Sequence, residues 1–159
     1  MIEISLIKDN INYHKEQLDE MENAFAQNFI LHEPSIYKPQ TRSTTPEFRV
    51  LLKIIQGVLP EALFVSIGND LFETVSKKDF LNAFLKTHSE ETPTVVFHFL
   101  GDFRSYVFRI CSSDENEIKE GVKTVVDEIL NIIEAEKLPP ESHDYRIFIY
   151  ENRVWNENK

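Results

Sequence analysis

Glycine is scarce in this chain. The four residues Gly57, Gly68, Gly101 and Gly121 stand alone, and none begins a G-x-G-x-x-G or G-x-x-x-x-G-K run. A glycine-lined cradle for a phosphate or a dinucleotide is therefore not expected. Cysteine occurs once, at Cys111, which excludes an intramolecular disulfide and fits a reducing compartment. Its apolar neighbours make Cys111 read as a buried small hydrophobe. No apolar run approaches the ~20 residues of a membrane span. Acids and an asparagine within the first ten residues are unlike a signal peptide. A cytoplasmic protein without membrane contact is the expectation. Positive charge is also short: 17 Lys and Arg against 27 Asp and Glu leave a formal charge of −10. Such a field repels phosphate backbones and favours a basic partner. The five histidines, His14, His32, His88, His98 and His143, are dispersed, and no H-E-x-x-H or C-x-x-C occurs. No metal centre or cofactor is expected from them.

Large apolar residues are plentiful. Hydrophobic residues make up 42%, with twelve Phe, five Tyr and one Trp, enough for a core. At 159 residues the chain has room for one domain and an appended element. We divide it into an N-terminal extension, 1–60, and a body, 61–159. In the extension, Ile4, Ile7, Ile11, His14, Leu18, Met21 and Phe25 recur at alternating spacings of three and four, a heptad seam. One long helix over 2–31 is the expectation, and self-association through that seam would give a homodimer. Residues 32–45 read as a loop broken by Pro34 and Pro39. A second helix is expected from Thr44 or Thr45, with Phe48, Leu51, Leu52, Ile55 and Leu59 on its apolar face.

The body reads as strand, helix, strand, strand, helix, strand. The expected strands are 63–67, 94–100, 105–111 and 145–150. The first helix presents Phe80, Leu81, Phe84 and Leu85 inward. The second is capped near Asp114 and has the inner stripe Ile118, Val122, Val125, Ile129 and Ile132. That order is an α+β, ferredoxin-like split βαβ with a four-stranded antiparallel sheet. Right-handed crossovers give the strand order 4-1-3-2, with both helices on one face. Alternation then places Phe64, Arg109, Arg146, Phe148 and Tyr150 on the other face, with His98 near the edge. Aromatics beside arginines are contact residues of the type interfaces use.

Leu63-Phe64-Val65 on the first expected strand resembles the second ribonucleoprotein motif of RNA-recognition motif domains. Arg104-Ser105-Tyr106-Val107-Phe108 is similar to the start of their first such motif. The resemblance implies the same split βαβ sheet, with Phe64, Tyr106 and Phe108 as base-stacking residues. The chain departs from the family pattern at Ser105, Arg109 and Cys111. Keeping Arg109 out of the core directs Tyr106 and Phe108 inward, so the resemblance speaks for the fold and not for RNA binding.

No nucleophile, base and orienting group assemble from the sequence. The leading expectation is a non-catalytic protein-binding protein, such as an acidic inhibitor or immunity-type protein for a basic partner. Asp114–Lys137 carries eight acids against three lysines, and the N-terminal helix six acids against two. The alternative is a nucleic-acid-binding module with Arg42, Arg49 and Arg146 on phosphates. A third reading is an enzyme that uses His98 and Asp102 near the hairpin.

Overall fold

The computed structural model describes residues 2–8, 12–33, 45–54, 61–87, 89–101, 104–135 and 144–158. The expected ferredoxin-like fold does not hold. Among the described residues the chain forms one six-stranded mixed sheet with four helices, in the order β1 (Ile2–Ile7), α1 (Lys15–Ala26), β2 (Glu47–Ile54), α2 (Glu61–Ser76), α3 (Lys78–Leu85), β3 (Thr94–Leu100), β4 (Arg104–Cys111), α4 (Glu115–Ala135), β5 (Asp144–Glu151) and β6 (Val154–Glu157). The strands lie side by side in chain order. β2 with β3 and β4 with β5 run parallel, and the other three neighbouring pairs are antiparallel. The chain is α+β, but β2 and β3, on either side of residue 60, pair in register from Glu47↔Thr94 to Lys53↔Leu100.

All four helices cover one face. Pairing sets that face as Ile2, Ile4 and Leu6 on β1, Phe48, Val50 and Leu52 on β2, Val95, Phe97 and Phe99 on β3, Tyr106, Phe108 and Ile110 on β4, Phe148 and Tyr150 on β5, and Trp155 on β6. These side chains join the helix interiors in one core. Under α1 and α3, Phe48 lies between Phe25 and Phe80, with ring centroids 5.7 and 5.4 Å away. Under α4, Phe108 stacks on Phe148 at 4.9 Å and meets Trp155 edge-on at 5.2 Å. Two glycines set how closely the layers approach. A Cβ on Gly68 of α2 would stand 2.7 Å from Val126 Cγ2 of α4, and one on Gly121 of α4 2.7 Å from Ile110 Cδ1 of β4.

The two parallel pairs point in opposite directions, advance the same way across the sheet, and carry their helices on the same face. Their crossovers therefore have opposite hands, and one is left-handed. The rule of right-handed crossovers, which produced the expected order 4-1-3-2, fails for one of the two units.

The N-terminal heptad helix is replaced by β1 and a shorter α1. Ile2, Ile4 and Leu6 alternate at period two and point to the core, whereas Ile4 and Ile7 lie on opposite faces of β1. Ile4, Met21 and Phe25 are buried in the chain's own core, Leu18 packs against it, and His14 is the exposed N-cap of α1. Ile11 lies outside the described residues. Tyr13 donates its hydroxyl to Phe84 O at 2.8 Å, and burial pushes its pKa up. Gln17 donates to the carbonyls of Ala83 and Lys86, which seats α1 on α3. Residues 47–54, expected within a helix, form β2, and 63–67, expected as a strand, lie in α2.

Candidate functional site

The far face of the sheet bears the other set of alternating residues: Glu47, Arg49, Leu51 and Lys53 on β2, Thr94, Val96, His98 and Leu100 on β3, Ser105, Val107, Arg109 and Cys111 on β4, and Tyr145, Ile147, Ile149 and Glu151 on β5. No described helix covers it, yet its centre is not open to solvent: Val96, Val107, Arg49 and His98 are all buried. Long side chains supply part of that cover. Arg109 NH1 lies 3.9 Å from Glu47 Oε1, two strands away, so its stem crosses β3 in the row of Val96. From the other side Arg49 donates to the same carboxylate at 3.2 Å and to His98 Nδ1 at 3.3 Å. His98 Nε2 bonds Ser105 Oγ, and its ring meets Tyr145 edge-on at 6.5 Å.

A serine beside a histidine invites a nucleophilic reading, and the bond on the other ring nitrogen decides against it. A guanidinium carries only donors, so Nδ1 of His98 must accept from Arg49. The proton then sits on Nε2, which donates to Ser105 Oγ. A base for Ser105 would need the opposite tautomer, held by an acceptor on Nδ1. Burial, with the charges of Arg49 and then Arg109, lowers the His98 pKa to about 4. His98 is a neutral donor that ties β3 to β4. Among the described residues no group of three or more His, Cys, Asp or Glu is placed to hold a metal ion. Cys111, expected to be buried, is exposed.

The expected contact residues separate in space. Arg109 is on the far face and partly exposed. Phe64 is buried in α2, and Phe148 and Tyr150 are buried on the helix face. Arg146 shares that face, half-buried, and donates Nε and NH2 to the two oxygens of Glu157 at 2.8 Å each, with its guanidinium 5.1 Å from the Phe148 ring. The alternation expected for β5 is one residue out of phase with the structure. Its parallel register with β4 puts Tyr106 beside Arg146 and Phe108 beside Phe148. Of the phosphate-contact set, Arg49 and Arg146 point to opposite faces, and Arg42 lies outside the described residues. Asp102 also lies outside them.

Charge is distributed unevenly between the two sides. On the far face the strand residues Glu3, Glu47 and Glu151 are matched by Arg49, Lys53 and Arg109. On the helix layer the acids prevail. Glu16, Asp19 and Glu20 are exposed on α1, Glu73 on α2, Asp79 on α3, and Glu115, Glu120 and Asp127 on α4, against the exposed Lys15, Lys78 and Lys123 of the helices. No helix among the described residues is long and apolar enough to cross a membrane. The chain matches no protein-family model, no curated protein and no solved structure.

Proposed function

We propose that this chain is a non-catalytic binding protein whose acidic helix layer meets a basic protein partner, as an inhibitor or immunity-type protein does. One observation carries the reading: the acids of α1 and α4 stand exposed on the same side of one sheet, while the strand charges of the other side cancel. A one-sided negative field steers a basic partner toward that side and speeds encounter. The tautomer of His98 supports a structural part for its contact with Ser105.

The test is capture with the full chain and with a variant in which Glu16, Asp19, Glu20, Glu120 and Asp127 are changed to Gln or Asn. The reading expects a strongly basic protein to be recovered by the parent chain and by Arg109→Ala, and lost by the neutralised variant. A captured protein that is acidic, or one held equally by the neutralised variant, would overturn it. Retention of RNA that weakens steeply with salt would favour the nucleic-acid alternative instead.

A further inference from the structure

The sheet has two edges, and among the described residues only one is closed. On β1, Ile4 forms a parallel bridge with Leu31, and His32 N donates to Ile4 O at 2.8 Å. On the outer side of β6 no described strand pairs. β6 returns from β5 through a tight turn in which Asn152 and Arg153 both have positive φ, 53° and 64°, the conformation of a type I′ hairpin. The hydrogen-bond phase of that hairpin is fixed. Asn158 N donates to Ile147 O at 2.8 Å, so the even-numbered residues of β6 turn their main-chain groups toward β5. Trp155, between them, turns its N–H and C=O to the outer edge.

The side chains around Trp155 are arranged for self-pairing. Trp155 lies on the helix side, against Phe108 and Tyr150, and donates Nε1 to Thr124 Oγ1 at 3.0 Å. Two residues before it, the exposed Arg153 reaches toward Glu120 of α4 at 3.8 Å. Two residues after it, Glu157 carries its carboxylate on the same side, where it accepts from Arg146. Opposite charges thus stand at the two ends of β6, Arg153 in the turn before it and Glu157 at its last residue.

We propose that β6 pairs antiparallel with β6 of a second copy of this chain, about a two-fold axis at Trp155. Trp155 then exchanges both main-chain bonds with its equivalent, Val154 faces Asn156, and the side chain of Arg153, in the turn that precedes each strand, comes beside Glu157 of the other copy, making two ion pairs across the contact. A one-residue slip would set Trp155 against a residue of the opposite face. A register centred on Asn156 would set Trp155 against Glu157 and leave Arg153 opposite no carboxylate. The strand has four residues, so the contact is small and the dimer weak. This surface meets the acidic helix layer only at Glu120, beside Arg153, and the proposal does not rest on the function proposed for that layer.

Sedimentation velocity on the full chain, from about 10 µM to about 1 mM, tests the proposal. A dimer should form within that range and weaken as salt rises. Emission from Trp155, the single tryptophan, should change with the same midpoint. Arg153→Asp sets like charges opposite one another and should weaken the dimer at least about tenfold. Arg153→Asn should weaken it less and leave the monomer as stable or more so, because asparagine tolerates positive φ. A monomer through about 1 mM, or a dimer with the same midpoint in Arg153→Asp, would overturn the proposal.

Discussion

The two faces of this sheet are made by the same strands and solve burial differently. On the helix side, cover comes from separate elements, and the strands supply rings and branched aliphatics: Phe48, Phe97, Phe99, Phe108 and Phe148. On the far side, the strands contribute to their own cover. Arg49 and Arg109 converge on Glu47, and Arg49 fixes His98, which fixes Ser105. The first arrangement is indifferent to pH and tolerant of exchange between similar side chains, because dispersion and hydrophobic transfer have no direction. The second is directional and holds only in one protonation state. Charge follows the same division: cancelled on the far side, and left as a surplus of acid on the outward surface of the helices.

Truncation of an aromatic should produce the largest gap between the faces. Phe48→Ala, between Phe25 and Phe80, should remove about 3–5 kcal/mol by urea denaturation, whereas Val154→Ala, half-exposed on the far side, should change stability by less than about 0.5 kcal/mol. Equal effects would mean the far side is a second core.

Acid should separate the faces next. His98 has a folded pKa lowered to about 4, against about 6.5 for an unfolded histidine, so the unfolded chain binds its proton first as pH falls. The stabilisation is complete above about pH 6.5, is lost progressively between there and pH 4, and amounts to about 3 kcal/mol. His98→Gln should flatten that limb of the stability–pH curve, and a curve of unchanged slope would place the titrating group elsewhere.

A smaller effect sharpens the account of the helix side. Gly68→Ala should destabilise by about 1–3 kcal/mol despite its better helix propensity, because the new methyl meets Val126. Adding Val126→Ala should recover part of that loss, and strict additivity of the two changes would argue against direct contact. Ser105→Ala should cost about 1 kcal/mol by the same denaturation, with no loss of any binding activity.

What was legible in the sequence depended on whether a segment had one period or two. The stripe Ile118, Val122, Val125, Ile129 and Ile132 fits only a helix, and all five residues are buried on α4. The runs 94–100 and 105–111 are bounded by turn residues, and both are strands, with Arg109 facing away from the core as expected. Segments that satisfy both periods are ambiguous, and packing decides between them. Ile4 and Ile7 suit a heptad, but Ile2, Ile4 and Leu6 suit a strand, and the strand is what forms. Phe48, Leu51 and Leu52 suit a helix, but Phe48, Val50 and Leu52 suit β2, where Phe25 and Phe80 close over them. Phe64, Ile67, Leu71 and Val75 carry the helical spacing of α2, and reading only 63–67 hid it. On β5 both alternate sets contain large apolar residues, so its facing follows from pairing with β4 and not from pattern. The polar network on the far side was invisible as a unit, because its members are brought together only by the parallel register of β2 with β3.

The most direct test compares the two sides in one experiment: association rates of the captured basic partner with the parent chain, with the helix-layer variant neutralised at Glu16, Asp19, Glu20, Glu120 and Asp127, and with Arg109→Ala, each at low and moderate salt. The helix-layer variant should lose at least about tenfold in association rate and most of the salt dependence, while Arg109→Ala should behave like the parent. A rate that survives neutralisation of the helix layer and falls in Arg109→Ala would place the binding surface on the far side of the sheet and contradict the proposed function.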